Sequence, residues 1–191
     1  LNTQSFFKKQ RLIAACTCEN INKALTSDAD ALLLMNGTLS FFIKYRKVLK
    51  ECPKPLFIHL DLIKGLSNDI EAIHFLKKYC TPTGIVSTKG MSIKAAKKEG
   101  LLAIQRIFLI DSNSLHTAMH NIKVNKPDIV EIMPGIAPNI VPILKQQLSQ
   151  PIILGGLIWT EEQVKAALHS QVEGISLSKE KLWNQKIMEG V

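Results

Sequence analysis

Eight short apolar runs, rich in β-branched residues, recur along this 191-residue chain about every 20 to 25 residues. They are Arg11 to Cys16, Ala31 to Asn36, Pro55 to Leu62, Gly84 to Lys89, Leu101 to Phe108, Asp128 to Met133, Pro151 to Leu154 and Val172 to Leu177. Helical spacing follows the runs, most clearly at Asn68 to Tyr79, Ser92 to Glu99, Ser112 to Val124, Pro138 to Leu148 and Thr160 to His169. Thr160 and Gln163 have capping-box spacing, Asn68 and Glu71 form a near variant, and Gly100 stands where a helix should stop. Eight such βα units predict an α/β fold, a compact (βα)8 barrel of the TIM type. An open doubly wound sheet is the competing arrangement, but Cys16-Thr17-Cys18-Glu19-Asn20 lacks the glycine signature that follows its first strand. About 250 residues is typical of the barrel, so this version requires short helices and minimal loops.

Length and a hydrophobic content of 46% suit one core, and the expected organisation is a single domain over residues 1–191, residues 1–10 being a basic extension. No run approaches the roughly 18 apolar residues of a membrane span, so a soluble protein without membrane association is expected. The four cysteines, at positions 16, 18, 52 and 80, include no Cys-x-x-Cys pair and no histidines spaced to complete a zinc site. Reduced, structural thiols in a cytoplasmic protein are the expectation, with no metal and no cofactor. A net charge of +8 favours an anionic partner, for which nucleic acid and phosphorylated metabolites both qualify.

In a barrel of this kind, function collects at the C-terminal ends of the strands. In the third run, period-two alternation puts Phe57, His59 and Asp61 on the inward face. The sixth run aims Glu131 inward, the fourth ends in Ser87-Thr88-Lys89, and the fifth carries Gln105 and Arg106 near its end. His59, Asp61, Lys89, Gln105, Arg106 and Glu131 are therefore candidates to line a ligand. A buried structural ion network among Asp61, Glu131, Lys89 and Arg106 is the competing explanation. The seventh run ends in Gly155-Gly156, and the eighth in Ser176-Leu177-Ser178 before a short helix expected near Lys179. Glycines admit a ligand close to the backbone, helix-start amides favour an anion, and these two loops often form the phosphate site of the fold. Gly155, Gly156, Ser176, Ser178 and Lys179 are the candidate phosphate-binding residues.

The segments FIHLDLIKGL, GIVSTKG, AIQRIFLIDS, EIMPGI, PIILGGLI and ISLS, with LW closing at Trp183, cover most of the chain from Pro55 onward. In these the chain resembles the glycerol-3-phosphate-responsive antiterminator family, regulators of glycerol uptake operons. The resemblance implies a non-enzymatic barrel that binds glycerol 3-phosphate as effector and acts on an mRNA leader to prevent premature termination. It also puts a hydroxyl where this chain has Leu177, and a glycine is expected but missing in His169-Ser170-Gln171.

The alternative reading is a sugar-phosphate isomerase, epimerase or aldolase, with Asp61 or Glu131 as base or Lys89 as Schiff-base former. For RNA, the sequence offers neither RNP1 nor a KH loop, only basic faces such as Lys44, Lys47 and Lys50, whose spacing of three reads as one ridge of a helix. The oligomeric state is left open, a homodimer included.

Overall fold

The computed structural model describes Phe7 and residues 10–184; the remainder of the expected basic extension lies outside the described residues. Eight parallel strands close in the order β1-β10-β9-β8-β7-β6-β4-β2. These are β1 (Leu12–Cys16), β2 (Ala31–Leu34), β4 (Leu56–His59), β6 (Gly84–Ser87), β7 (Leu102–Phe108), β8 (Ile129–Met133), β9 (Ile152–Gly155) and β10 (Gly174–Leu177). Each corresponds to one of the eight apolar runs. Two further short strands, β3 (Gly37–Thr38) and β5 (Ile63–Lys64), pair with each other in a separate parallel ribbon.

Alternation along the strands sorts the core into two layers. Ile13, Leu33, Phe57, Val86, Ile104, Ile129 and Ile153 fill the barrel interior. Ala14, Leu34, Ile58, Ile85, Val130, Leu154 and Ile175 pack outward with the helices. Burying each large aliphatic side chain contributes roughly 1.5–3 kcal/mol.

Among the described residues the α-helices are α1 (Ile21–Thr26), α2 (Leu39–Lys44), α3 (Arg46–Lys50), α4 (Ile70–Cys80), α5 (Gly90–Lys98), α6 (Ser112–Asn125), α7 (Val141–Lys145) and α8 (Glu161–His169). Four of the eight have only five or six residues, which is how so short a chain completes the barrel. The capping box at Thr160 and Gln163 forms as expected. At α4 the cap is Asp69, not Asn68, and accepts from the Ala72 amide at 3.1 Å. An unforeseen box at Asp111 and Ser114 starts α6. Gly100 follows α5 at φ 74°, and Gln171 takes φ 65° at the entry to β10, filling the left-handed position where a glycine was expected.

Strand ends and the segment after β10 differ from the sequence expectation. The third run leaves the sheet at His59, and Leu60–Leu62 form one turn of 3-10 helix. The fourth run ends at Ser87, two residues before Lys89. After β10, the expected helix is a single 3-10 turn, Glu180–Leu182. That turn is stitched to the start of the chain: Glu180 accepts from Asn20 at 2.7 Å and pairs with Lys23 at 2.9 Å. Trp183, 1% exposed, donates from Nε1 to the Leu177 carbonyl at 2.8 Å.

Close strand packing makes one glycine in the wall indispensable. A Cβ at Gly84 would lie 2.4 Å from the Leu102 carbonyl oxygen and 2.8 Å from the Phe57 ring. Backbone cannot yield as a flexible side chain can, so Gly84→Ala is expected to lose about 1–3 kcal/mol of stability. Urea unfolding with an unchanged m-value and a lowered midpoint would show it.

Candidate functional site

The C-terminal mouth of the barrel has a polar floor laid on the apolar interior. Arg106 and Glu131 are register partners on β7 and β8, and Arg106 Nε donates to Glu131 Oε2 at 2.6 Å. Ser176 of β10 donates to the other oxygen, Oε1, at 2.5 Å. All three side chains are at least 95% buried. A second guanidinium nitrogen of Arg106, Nη2, faces the Met35 sulfur at 3.7 Å. Met35 follows β2 on its inward face, and the Ala31-Leu33-Met35 alternation was the signal that could have found it.

Gly155 belongs to this floor for a steric reason. It is the register partner of Ser176, and a Cβ there would fall 2.3 Å from Ser176 Oγ and 2.8 Å from Glu131 Oε1. The Gly155 and Gly156 carbonyls both accept from the Gly135 amide, at 2.6 and 2.9 Å. Beyond them the loop runs through two left-handed residues, Gly156 at φ 78° and Leu157 at φ 60°. For leucine that conformation costs about 1–2 kcal/mol. Ser178 and Lys179 are exposed on the neighbouring rim. Leu177, by contrast, is 1% exposed and packs with the helix layer, so its side chain replaces no contact at the mouth.

Asp61 occupies a different part of the rim. Ser87 Oγ donates to its Oδ1 at 2.6 Å, and the Thr88 amide and hydroxyl both donate to Oδ2 at 2.8 Å. With its amide turned to satisfy both neighbours, Asn68 donates to Asp61 Oδ1 and accepts from Lys89 Nζ, each at 2.8 Å. Burial pulls the Asp61 pKa upward, but the hydrogen bonds from Ser87 and Thr88 outweigh it and leave the carboxyl below its ordinary range. The candidate four-charge network is therefore two networks. Arg106–Glu131 forms the floor, while Asp61 and Lys89 meet through Asn68 at the β4–β6 rim, across the barrel from β9 and β10.

Gln105 does not line the mouth. It faces outward, where its Oε1 accepts from Asn125 of α6 at 3.2 Å, so the expectation that it contacts a ligand is corrected. Lys44, Lys47 and Lys50 are exposed, but the chain breaks helical geometry at Tyr45 and divides them between α2 and α3. They are not one ridge of one helix. The four cysteines are free thiols, and burial pushes Cys16 and Cys80 up to about 12. No cluster of three or more His, Cys, Asp or Glu able to hold a metal occurs among the described residues.

His59 ends β4 and points inward above Phe57. It is 3% exposed, and its Nδ1 has no hydrogen-bond partner among the described residues. Burial, followed by the nearby Arg106 charge, drives its pKa down to about 4, and so the ring is neutral at physiological pH. Acid has a definite sign here. Between the ordinary value of about 6.5 and 4, the unfolded chain takes up a proton that the folded chain refuses, so stability falls with falling pH across that window. Above it the effect vanishes. From pH 7 to pH 4.5, wild type should lose about 2–3 kcal/mol more than His59→Gln in paired urea titrations.

These features define the class: a closed eight-stranded α/β barrel whose mouth combines a neutralised polar floor with a glycine- and serine-bearing rim. The chain belongs to the glycerol-3-phosphate responsive antiterminator family, whose profile matches residues 12–183. It is similar to the crystal structure of the glycerol uptake operon antiterminator regulatory protein from Listeria monocytogenes str. 4b F2365, with 35% identity and a TM-score of 0.87 over 93% of this chain and 96% of that one. A glycerol uptake operon antiterminator-related protein from Thermotoga maritima MSB8 is 29% identical, with a TM-score of 0.79 over 92% of this chain and 99% of that one. The uncharacterized protein YgcP of Escherichia coli (strain K12) is 32% identical over 177 residues, which span 92% of this chain and 93% of that protein.

Proposed function

We propose that this protein is a cytoplasmic, non-enzymatic sensor of glycerol 3-phosphate that regulates transcription antitermination through the mRNA leader of glycerol uptake genes. The observation that carries the reading is the pairing of β9 with β10, which makes neighbours of the loops that begin at Gly156 and at Ser178, within a chain of this family. The phosphate would lie against the Gly155-Gly156 segment and the Ser176 to Lys179 segment, at the two loops that commonly hold phosphate in this fold. Because Ser176 Oγ already donates to Glu131, the direct donors would be the rim amides, the Ser178 hydroxyl and the Lys179 ammonium.

The same geometry speaks against an isomerase, epimerase or aldolase. A general base works best with a pKa near the operating pH. Asp61 is held low by three donated hydrogen bonds, both Glu131 oxygens are engaged, and His59 titrates near 4. Among the mouth groups whose pKa is displaced, none is displaced towards neutrality.

For RNA, the exposed Lys44, Lys47 and Lys50 are the candidate backbone contacts, and phosphate contacts through lysines give salt-dependent affinity. Ligand at the mouth would bias an RNA-facing surface or a homodimer by a typical coupling of about 1–3 kcal/mol.

Calorimetry with glycerol 3-phosphate, paired with proton NMR, tests the reading. Expected are saturable binding without turnover, and an affinity lowered about ten-fold or more in Lys179→Glu, that is about 1.4 kcal/mol. Absence of binding at millimolar ligand, or product formation at an enzyme-like rate, would contradict it. A leader transcript should bind more tightly with ligand present, by roughly 5- to 150-fold, and less tightly with a shallower salt slope after charge reversal at Lys44, Lys47 and Lys50.

A further inference from the structure

We propose that His59 recognises a hydroxyl group of the ligand, so that the mouth selects a hydroxylated organic phosphate over one without hydroxyls. The inference rests on reading the β9–β10 side as the anion-holding side. It begins from an unpaired atom: His59 Nδ1 is buried without a hydrogen-bond partner among the described residues. Leaving such an atom unsatisfied costs about 1–3 kcal/mol. Nδ1 is shielded from solvent in this ring orientation, so a turn of the imidazole that presents it to a group from outside the chain recovers that cost.

The surroundings restrict what that group is. The charged neighbours acting on His59 are Arg106, Asp61 and Glu131. The Arg106 and Glu131 charges pair with each other, and Asp61 is engaged by Ser87, Thr88 and Asn68, so a ligand charge placed beside His59 would meet no free counter-charge. A neutral imidazole offers one N–H donor and one acceptor nitrogen, and a hydroxyl, which both donates and accepts, can pair with either. Position agrees with chemistry. β4 stands four strands from β9 around the eight-stranded wall, so His59 faces the β9 side across the floor. A short ligand with its phosphate on the β9–β10 rim would extend its other end over Arg106 and Glu131 towards His59.

Sites that hydrogen-bond a ligand hydroxyl reject the analogue lacking it, because their buried polar atoms are then left unpaired. Calorimetry should compare glycerol 3-phosphate, n-propyl phosphate and inorganic phosphate on wild type, His59→Phe and His59→Leu. Wild type is expected to favour glycerol 3-phosphate over n-propyl phosphate about ten-fold or more, and His59→Phe to reduce that ratio to within about three-fold. If His59→Phe does not fold, the narrowed ratio is read from His59→Leu, which likewise offers no donor or acceptor. In wild type, the imidazole nitrogen-15 resonances of His59 should also move with glycerol 3-phosphate and remain in place with n-propyl phosphate.

Equal wild-type affinity for the two esters, a ratio retained in the folded variants, or unmoved imidazole resonances would overturn the proposal. If inorganic phosphate binds and the discrimination is missing, this inference alone fails. If no phosphate compound binds wild type, the anion-site reading fails with it.

Discussion

The buried pair of Arg106 and Glu131 is the interaction on which the mouth depends. Two charges withdrawn from water cost several kcal/mol each, and they are tolerated only when their geometry is good and their remaining hydrogen-bonding capacity is used. Here Nε meets one carboxylate oxygen at 2.6 Å and the Ser176 hydroxyl takes the other at 2.5 Å. Removing one partner alone would leave an uncompensated charge, typically a loss of about 3–5 kcal/mol. The pair links β7, β8 and β10 across the top of the apolar interior, and its bulk is why β9 must end in glycine.

That requirement changes the meaning of Gly155. In sequence, paired glycines after the seventh run suggest close approach of a ligand to the backbone. In the fold, Gly155 is already crowded by Ser176 and Glu131, and it is Gly156, left-handed and partly exposed, that remains at the rim. One glycine thus serves packing and the other chain direction. Any anion held here meets a surface whose floor charges cancel, so its charge is answered by the rim amides and Lys179.

The barrel was legible because its signals are local and repeated. Alternation along β4 and β8 correctly predicts the inward direction of His59 and Glu131, and the Thr160–Gln163 box marks α8 correctly. Legibility fails where a strand ends. Period-two reasoning carried past His59 treats Asp61 as a strand residue, whereas a 3-10 turn carries it to Ser87 and Thr88. Gln105 and Arg106 look equivalent as neighbours near one strand end, yet a shift of one residue reverses the face, so Gln105 meets Asn125 outside the barrel. Asn68 resembles a helix cap in sequence because its partners, Asp61 and Lys89, come from other loops that only the closed barrel brings together.

Sensing at this mouth requires one bound anion to be shared by the chain segments that follow β9 and β10. Backbone amide NMR during titration with glycerol 3-phosphate tests this most directly. Saturable shifts should concentrate at Gly156, Leu157, Ser178 and Lys179, with one common dissociation constant. Shifts confined to other loops, or none at these four residues at saturating ligand, would contradict it.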